Sequence, residues 1–172
     1  MTTTASTAAA SLSEAAARFR SRMLSYLPFR AFTWLKMPLA AFAGLRVREV
    51  DAGACEVTVP FGWRTQNPFG SLYFAAHAMA AELSTGALVL FHVQEQGGAS
   101  VSTLITRMHA TYGKAARSET TYRCEQGAEI AAAVRRAIET GEPVEVEVLT
   151  KGIADGKSVG DFRFTWSMKK RG

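Results

Sequence analysis

Between Leu72 and Val93 the chain carries no Lys, Arg or Asp, and its single acid is Glu82. A segment that is apolar on nearly every side predicts a helix buried either in a protein core or in lipid. The turn residues Asn67-Pro68-Phe69-Gly70-Ser71 stand just before it. Asn-Pro disfavours an earlier helical start, and Ser71 is the natural N-cap. About 20 apolar residues would also span a bilayer. Against that, Ala dominates the first half, an acid sits near the centre, and His77, Ser84 and Thr85 add polarity. The flanks lack paired aromatic belts and clustered cations, so a core helix is expected and no transmembrane span.

The rest of the pattern has period two. Leu45 and Val47, then Cys55, Val57 and Val59, alternate with polar residues around Asp51-Ala52-Gly53, which reads as a hairpin. After the long helix, Leu104, Thr106, Met108, Ala110 and Tyr112 form one face of a strand, with Arg107, His109 and Thr111 on the other. A turn at Gly113–Arg117 leads to a return strand ending at Cys124. Ala128–Thr140 reads as a helix closed by Gly141. Two more strands come last, one with Val144, Val146 and Val148, the other with Phe162, Phe164, Trp166 and Met168. Asp155-Gly156 between them is a hairpin signal. Strands joined by tight turns around one apolar helix predict an α+β domain with a largely antiparallel sheet.

Upstream, residues 1–12 are rich in Thr, Ser and Ala and are expected to be disordered. Residues 13–40 form a helical segment: Ser13-Glu14 opens a helix, and Pro28 and Pro38 break up the stretch beyond Tyr26. Its Phe29, Phe32, Trp34 and Leu35 pack onto the domain or a partner subunit. The sharper alternative is a membrane-surface helix, because Arg18, Arg20, Arg22 and Arg30 flank these aromatics. Residues 41–172 then make up the main domain.

Composition narrows the partners rather than the fold. With 48% hydrophobic and 20% charged residues the chain is an ordinary globular protein. Its net charge of +5 tolerates a polyanion, yet the basic residues are scattered and no nucleic-acid-reading motif accompanies them. A phosphorylated small molecule would suit the charge as well. Cys55 and Cys124 read as small buried hydrophobes, and His77, His92 and His109 show no ligand spacing, so no metal is expected. No basic region precedes an apolar N-terminal core, which makes cytoplasmic the expected location.

At about 100° per residue, Ser71, Ala75, Ala78, Glu82, Thr85, Gly86 and Val89 share one stripe of the long helix. Small residues let a second chain or a slender ligand approach, so Ala78 and Thr85 become candidates for lining a substrate. Glu82 projecting into such a stripe is either a structural partner of Arg107 or of a dimer seam, or a base or nucleophile with its pKa raised by desolvation. Free N–H groups at a helix start polarise a carbonyl, a role open to Gly70 and Ser71. Asn67 is a turn former or a holder of water or substrate. His77 lies about 140° from Glu82, which disfavours a dyad within the helix.

The Asn67–Ser71 entry, a helix bearing Ala81-Glu82, and the closing Phe162-x-Phe164-Thr165-Trp166-Ser167 together resemble the hotdog-fold thioesterases. They look most like the branch called domain of unknown function 4442, related to phenylacetyl-CoA thioesterases. The resemblance spans residues 40 to 170 and implies about six antiparallel strands wrapped around one long helix, here with an N-terminal helical extension. In the resembling enzymes an Asn or Gln before the helix, a Gly at its start and an acid on it act together, which maps onto Asn67, Gly70 and Glu82. Two departures stand out. The His of a His-Gly-Gly-like entry is absent from Phe69-Gly70-Ser71. The acid's usual place, about two turns after the Gly, is Ala78, with Glu82 one turn later and roughly 6 Å further along.

The resemblance also makes Lys114 and Arg117, otherwise solvated turn charges, contacts for CoA phosphates. It implies an acyl thioester as substrate, CoA only as part of it, and no further cofactor. An exposed sheet edge and a tunnel closed by a second copy imply a homodimer or a dimer of dimers. The expected activity is therefore hydrolysis of acyl-CoA or a related carrier thioester. A non-catalytic acyl-binding protein and a ligand-free scaffold dimer are the alternatives.

Overall fold

A computed structural model describes residues 12–171; of the stretch expected to be disordered, residues 1–11 lie outside the described residues. Three helices come first: α1 (Glu14–Leu24), α2 (Tyr26–Lys36) and α3 (Pro38–Ala43). Ser13 caps α1, its hydroxyl accepting from the Ala16 N–H at 3.2 Å. Pro28 falls in the first turn of α2 and Pro38 opens α3, positions where a missing N–H is tolerated. Gly44 ends α3 in the left-handed conformation.

The main domain begins with β1 (Arg46–Val50), β2 (Cys55–Val59), α4 (Phe74–Glu95), β3 (Val101–Tyr112) and β4 (Thr120–Cys124). It closes with α5 (Gly127–Thr140), β5 (Val144–Ala154) and β6 (Lys157–Lys170). All pairings are antiparallel, in the order β1-β2-β4-β5-β6-β3. Helix α4 lies on the inner face of this sheet, against β1, β2, β4, β5 and β6. It is long and apolar enough to cross a membrane, but it spends that apolarity on the core: Leu83, Leu88, Val89, Phe91 and Val93 are all buried. This is the α+β arrangement expected from the strand and helix pattern, with the hotdog layout that the resemblance implies.

Local chemistry sets the turns. Asp51 accepts from the N–H groups of Gly53 and Ala54 at 2.7 and 2.9 Å, folding β1 onto β2. Asp155 and Gly156 both adopt positive φ, joining β5 to β6. Gly127 starts α5 so close to that first turn that a Cβ there would overlap the Ala52 carbonyl, and its N–H donates to Gly53 O at 3.0 Å. Cys55 and Cys124 are buried free thiols placed opposite each other on β2 and β4, hydrophobes as expected.

One strand departs from the simple alternation. A bulge in β3 between Ile105 and Arg107 shifts its phase. Ile105 pairs with Trp166 and takes the helix-side face that the period-two pattern gave to Leu104 and Thr106. Leu104 instead pairs with Ser167 and is exposed. Beyond the bulge Met108, Ala110 and Tyr112 keep the expected face, but Met108 and Tyr112 remain nearly half exposed. They lie on a strand that pairs on one side only.

Candidate functional site

The turn before α4 is closed by Asn67. Its Oδ1 accepts from the N–H groups of Phe69 (2.9 Å) and Ser71 (3.2 Å), and its Nδ2 donates to Ser71 Oγ (3.0 Å). The Gly70 N–H donates to Asn67 O at 3.1 Å, with Gly70 exposed at positive φ. Leu72 is fastened to the β3–β4 connection through its N–H to Ala116 O (2.8 Å), and Tyr73 N–H to Thr65 O (2.7 Å).

This local network corrects the expected helix start. Ser71 does not cap α4; the helix begins at Phe74 with Tyr73 as a cap that lends no side chain. Ser71 cannot serve because its hydroxyl and N–H are both tied to Asn67 inside the turn. Gly70 and Ser71, expected to present free N–H groups, have them bonded within the turn. Among the described residues, the donors without a protein acceptor at the helix entrance are the N–H groups of Phe74 and Ala75.

Glu82 sits two turns and a fraction into α4, half-buried. Burial raises its pKa above the ordinary carboxylate value. Among the described residues no cation pairs with it and no donor reaches its carboxylate. Arg107, its candidate structural partner, instead pairs with Glu145 at 2.8 Å. The Glu82 side chain folds over Gly86: a Cβ there would stand 2.9 Å from Oε1 and 3.3 Å from the Trp166 ring. Trp166 is held in turn, its Nε1 donating to Thr85 Oγ1 at 3.1 Å while Thr85 Oγ1 donates to Glu82 O at 2.9 Å.

The small-residue stripe is thus open only in its first half. Ala75, Ala78 and Glu82 remain partly accessible, whereas Thr85, Gly86 and Val89 are sealed by Trp166 and the sheet. Ala78 lies one turn before Glu82. Thr85 is fully buried and positions Trp166 rather than lining the accessible half of the stripe. Replacing Gly86 by Ala should push the Glu82 carboxylate or the Trp166 ring aside. Since helix propensity gains about 1 kcal/mol from that exchange, stability should change little. Thermal melting of Gly86→Ala beside wild type would show it.

A family model describing a domain of unknown function, DUF4442, matches residues 27–168. The chain belongs to the DUF4442 family. No curated protein sequence matches it significantly. Among solved structures, a protein of unknown function from Chlorobaculum tepidum is similar at TM-score 0.73 and 15% identity, covering 87% of this chain and 99% of that one. A protein of unknown function from Pseudomonas aeruginosa, described as a probable thioesterase, reaches TM-score 0.72 and 20% identity over 87% and 99%. A thioesterase from Haemophilus influenzae reaches 0.61 and 18% over 87% and 95%. Likeness at these identities establishes the fold, which is the hotdog fold.

In this DUF4442 chain Lys114 and Arg117 are exposed on the β3–β4 connection, the same segment that holds Leu72. They are therefore brought beside the Asn67–Tyr73 turn, while Thr85 is set apart from it. No group of three His, Cys, Asp or Glu side chains among the described residues is arranged to hold a metal ion.

Sequence reasoning missed a buried polar pair. His77 Nδ1 and the Tyr122 hydroxyl are hydrogen-bonded, with His77 stacked on Phe162 and edge-on to Tyr112. Burial pulls the His77 pKa down to about 4 and pushes that of Tyr122 up, so the imidazole is neutral at pH 7. A histidine on an otherwise apolar helix was the available signal. Nothing local points to a tyrosine 45 residues away.

Proposed function

We propose that this DUF4442 protein is a cytoplasmic thioester hydrolase acting on acyl-CoA or a related acyl carrier, with Glu82 as base or nucleophile. The observation that carries this reading is a half-buried carboxylate that has, among the described residues, no cation and no hydrogen-bond donor, on the same stripe as the partly accessible Ala75 and Ala78. Burying an unpaired carboxylate is costly in a purely structural role. Counted from the helix's true start at Phe74, Glu82 stands eight positions on, about two turns. The resemblance counts its spacing from the Gly, and counted from Gly70 the acid still stands one turn beyond the usual place, Ala78.

The chemistry rests on those groups. Ionised Glu82 removes a proton from a water that attacks the thioester carbonyl, or attacks it directly to form an acyl anhydride that water then opens. The N–H groups of Phe74 and Ala75 stabilise the oxyanion, and the thiolate leaves with a proton. Asn67 shapes the turn that aims these donors, so it positions rather than reacts. CoA enters only as the leaving thiol, and no cofactor takes part.

Helix geometry supports a dimeric site. Eight residues along α4 separate donors and acid by about 12 Å, too far for both to act on one carbonyl. The donors of one subunit would then work with Glu82 of another, in a tunnel closed by a homodimer. The unpaired edge of β3, with Met108 and Tyr112 nearly half exposed, is the surface best suited to that pairing. Removing the charges of Lys114 and Arg117 together should raise KM for an acyl-CoA about tenfold by weakening phosphate contacts. kcat should stay unchanged, as steady-state kinetics would show.

A second reading has one observation in its favour. The Gly70 and Ser71 N–H groups are consumed within the turn, which suits a protein that binds an acyl group without cleaving it. Thiol release from a panel of acyl-CoA substrates separates the two.

A further inference from the structure

Helices α2 and α3 turn an apolar face outward. Leu27, Trp34 and Leu35 of α2 and Leu39 and Phe42 of α3 are exposed, Leu35 at 81%, while Phe29 and Thr33 face the domain. Trp63 extends the patch, 75% exposed and edge-on to Phe42 with ring centroids 5.9 Å apart. Contiguous exposed apolar surface of this kind marks a contact site.

The helices that carry the patch bring cations and no acid to it. From Ala15 to Arg48 there is no Asp or Glu, against Arg18, Arg20, Arg22, Arg30, Lys36, Arg46 and Arg48. Beside the patch lies a cleft of about 420 Å³ lined by Arg30, Arg46 and Arg64 with Tyr26. Its one carboxylate, Glu119, already faces Arg48 at 3.5 Å. None of the three cleft arginines has a carboxylate partner among the described residues. Arg30 rests on the Trp34 ring with its guanidinium donating to Ala41 O at 3.0 Å, and Arg46 lies 5.0 Å over Tyr26. Both guanidiniums are thus held in place for an anion.

We infer that this face seats the protein on an anionic lipid surface, with the α2–α3 apolar residues in the interface and a headgroup phosphate in the Arg30–Arg46–Arg64 cleft. The match is one of charge and chemistry. Tryptophan and leucine beside arginine suit the headgroup layer, where apolar burial and attraction to anionic lipid add. A second copy fits worse: two such faces meeting about a two-fold axis would oppose cation to cation with no acid between 15 and 48 to answer. The inference stands apart from the thioesterase reading, since it needs neither Glu82 nor turnover.

Co-sedimentation of the full chain with vesicles in physiological salt tests it. Phosphatidylcholine vesicles would be compared with vesicles containing about a third phosphatidylglycerol. Binding to the anionic vesicles should be at least about tenfold tighter. R30Q/R64Q should remove most of that preference. L35S, at a largely exposed position, should weaken binding while leaving the circular dichroism unchanged. Equal partition into both vesicle types would overturn the inference. So would unaltered binding by R30Q/R64Q, displacement from vesicles by free CoA at concentrations where inorganic phosphate has no effect, or an oligomeric mass that falls with L35S.

Discussion

Glu82→Gln should lose thioester hydrolysis by roughly a hundredfold to ten-thousandfold while the protein stays folded. Gln keeps the size of the side chain and its place over Gly86 beside Trp166, but it can neither take a proton from water nor attack a carbonyl. The loss should fall on kcat, because substrate contacts elsewhere are untouched. In the wild type the rate should rise with pH through the Glu82 pKa, which burial holds above the ordinary carboxylate value. The variant should lack that limb. Stability should move the other way. A carboxylate whose folded pKa is raised destabilises the fold once it ionises, so the neutral amide should leave the melting temperature equal or higher. Removing a structural ion pair would lower it instead.

The second large effect is acid lability centred on His77. Its folded pKa of about 4 lies below the 6.5 of an ordinary histidine. The unfolded chain therefore binds the extra proton first as pH falls. Stability is fully present above pH 6.5 and declines as pH drops toward about 4, by up to about 3 kcal/mol for this shift. His92, also lowered chiefly by burial, adds in the same direction. Glu82, with its raised pKa, opposes them weakly by favouring the protonated fold. Urea unfolding at pH 7 and pH 4.5 should show His77→Gln less stable than wild type at neutral pH but clearly flatter in its pH dependence. Parallel curves for the two proteins would show that His77 carries no such linkage.

The fold was readable because its signals are local and agree. Period-two alternation marked each strand, Asp155-Gly156 marked the β5–β6 turn, and an uncharged run with one acid marked α4. Where side chains compete for the same backbone groups, local signals misled. Ser71 has the chemistry of a cap, but Asn67 engages its N–H and hydroxyl first and delays the helix by two residues. The bulge at Ile105–Arg107 likewise reversed the facing of Leu104 and Thr106, an effect of cross-strand register with no local signature.

The candidate site was legible in part for the same reason. Glu82 stood out as a lone acid, and helical geometry placed Ala75 and Ala78 beside it. The outer half of that stripe was misjudged because the group covering Thr85 and Gly86 is Trp166, 81 residues beyond Thr85. Long-range partners of this kind leave no mark in spacing. The His77–Tyr122 pair was invisible on the same grounds. Only the folded chain joins them.

The most direct measurement is thiol release by wild type and Glu82→Gln side by side across acyl-CoA substrates of increasing chain length, paired with native mass spectrometry of the purified protein. Saturable release by wild type on at least one substrate, lost in Glu82→Gln with the fold and the native mass unchanged, is the predicted result. No release from any substrate, or release at the same rate in both proteins, would contradict a hydrolytic role for Glu82. Acyl ligands carried uncleaved by the wild type would then assign the fold to binding.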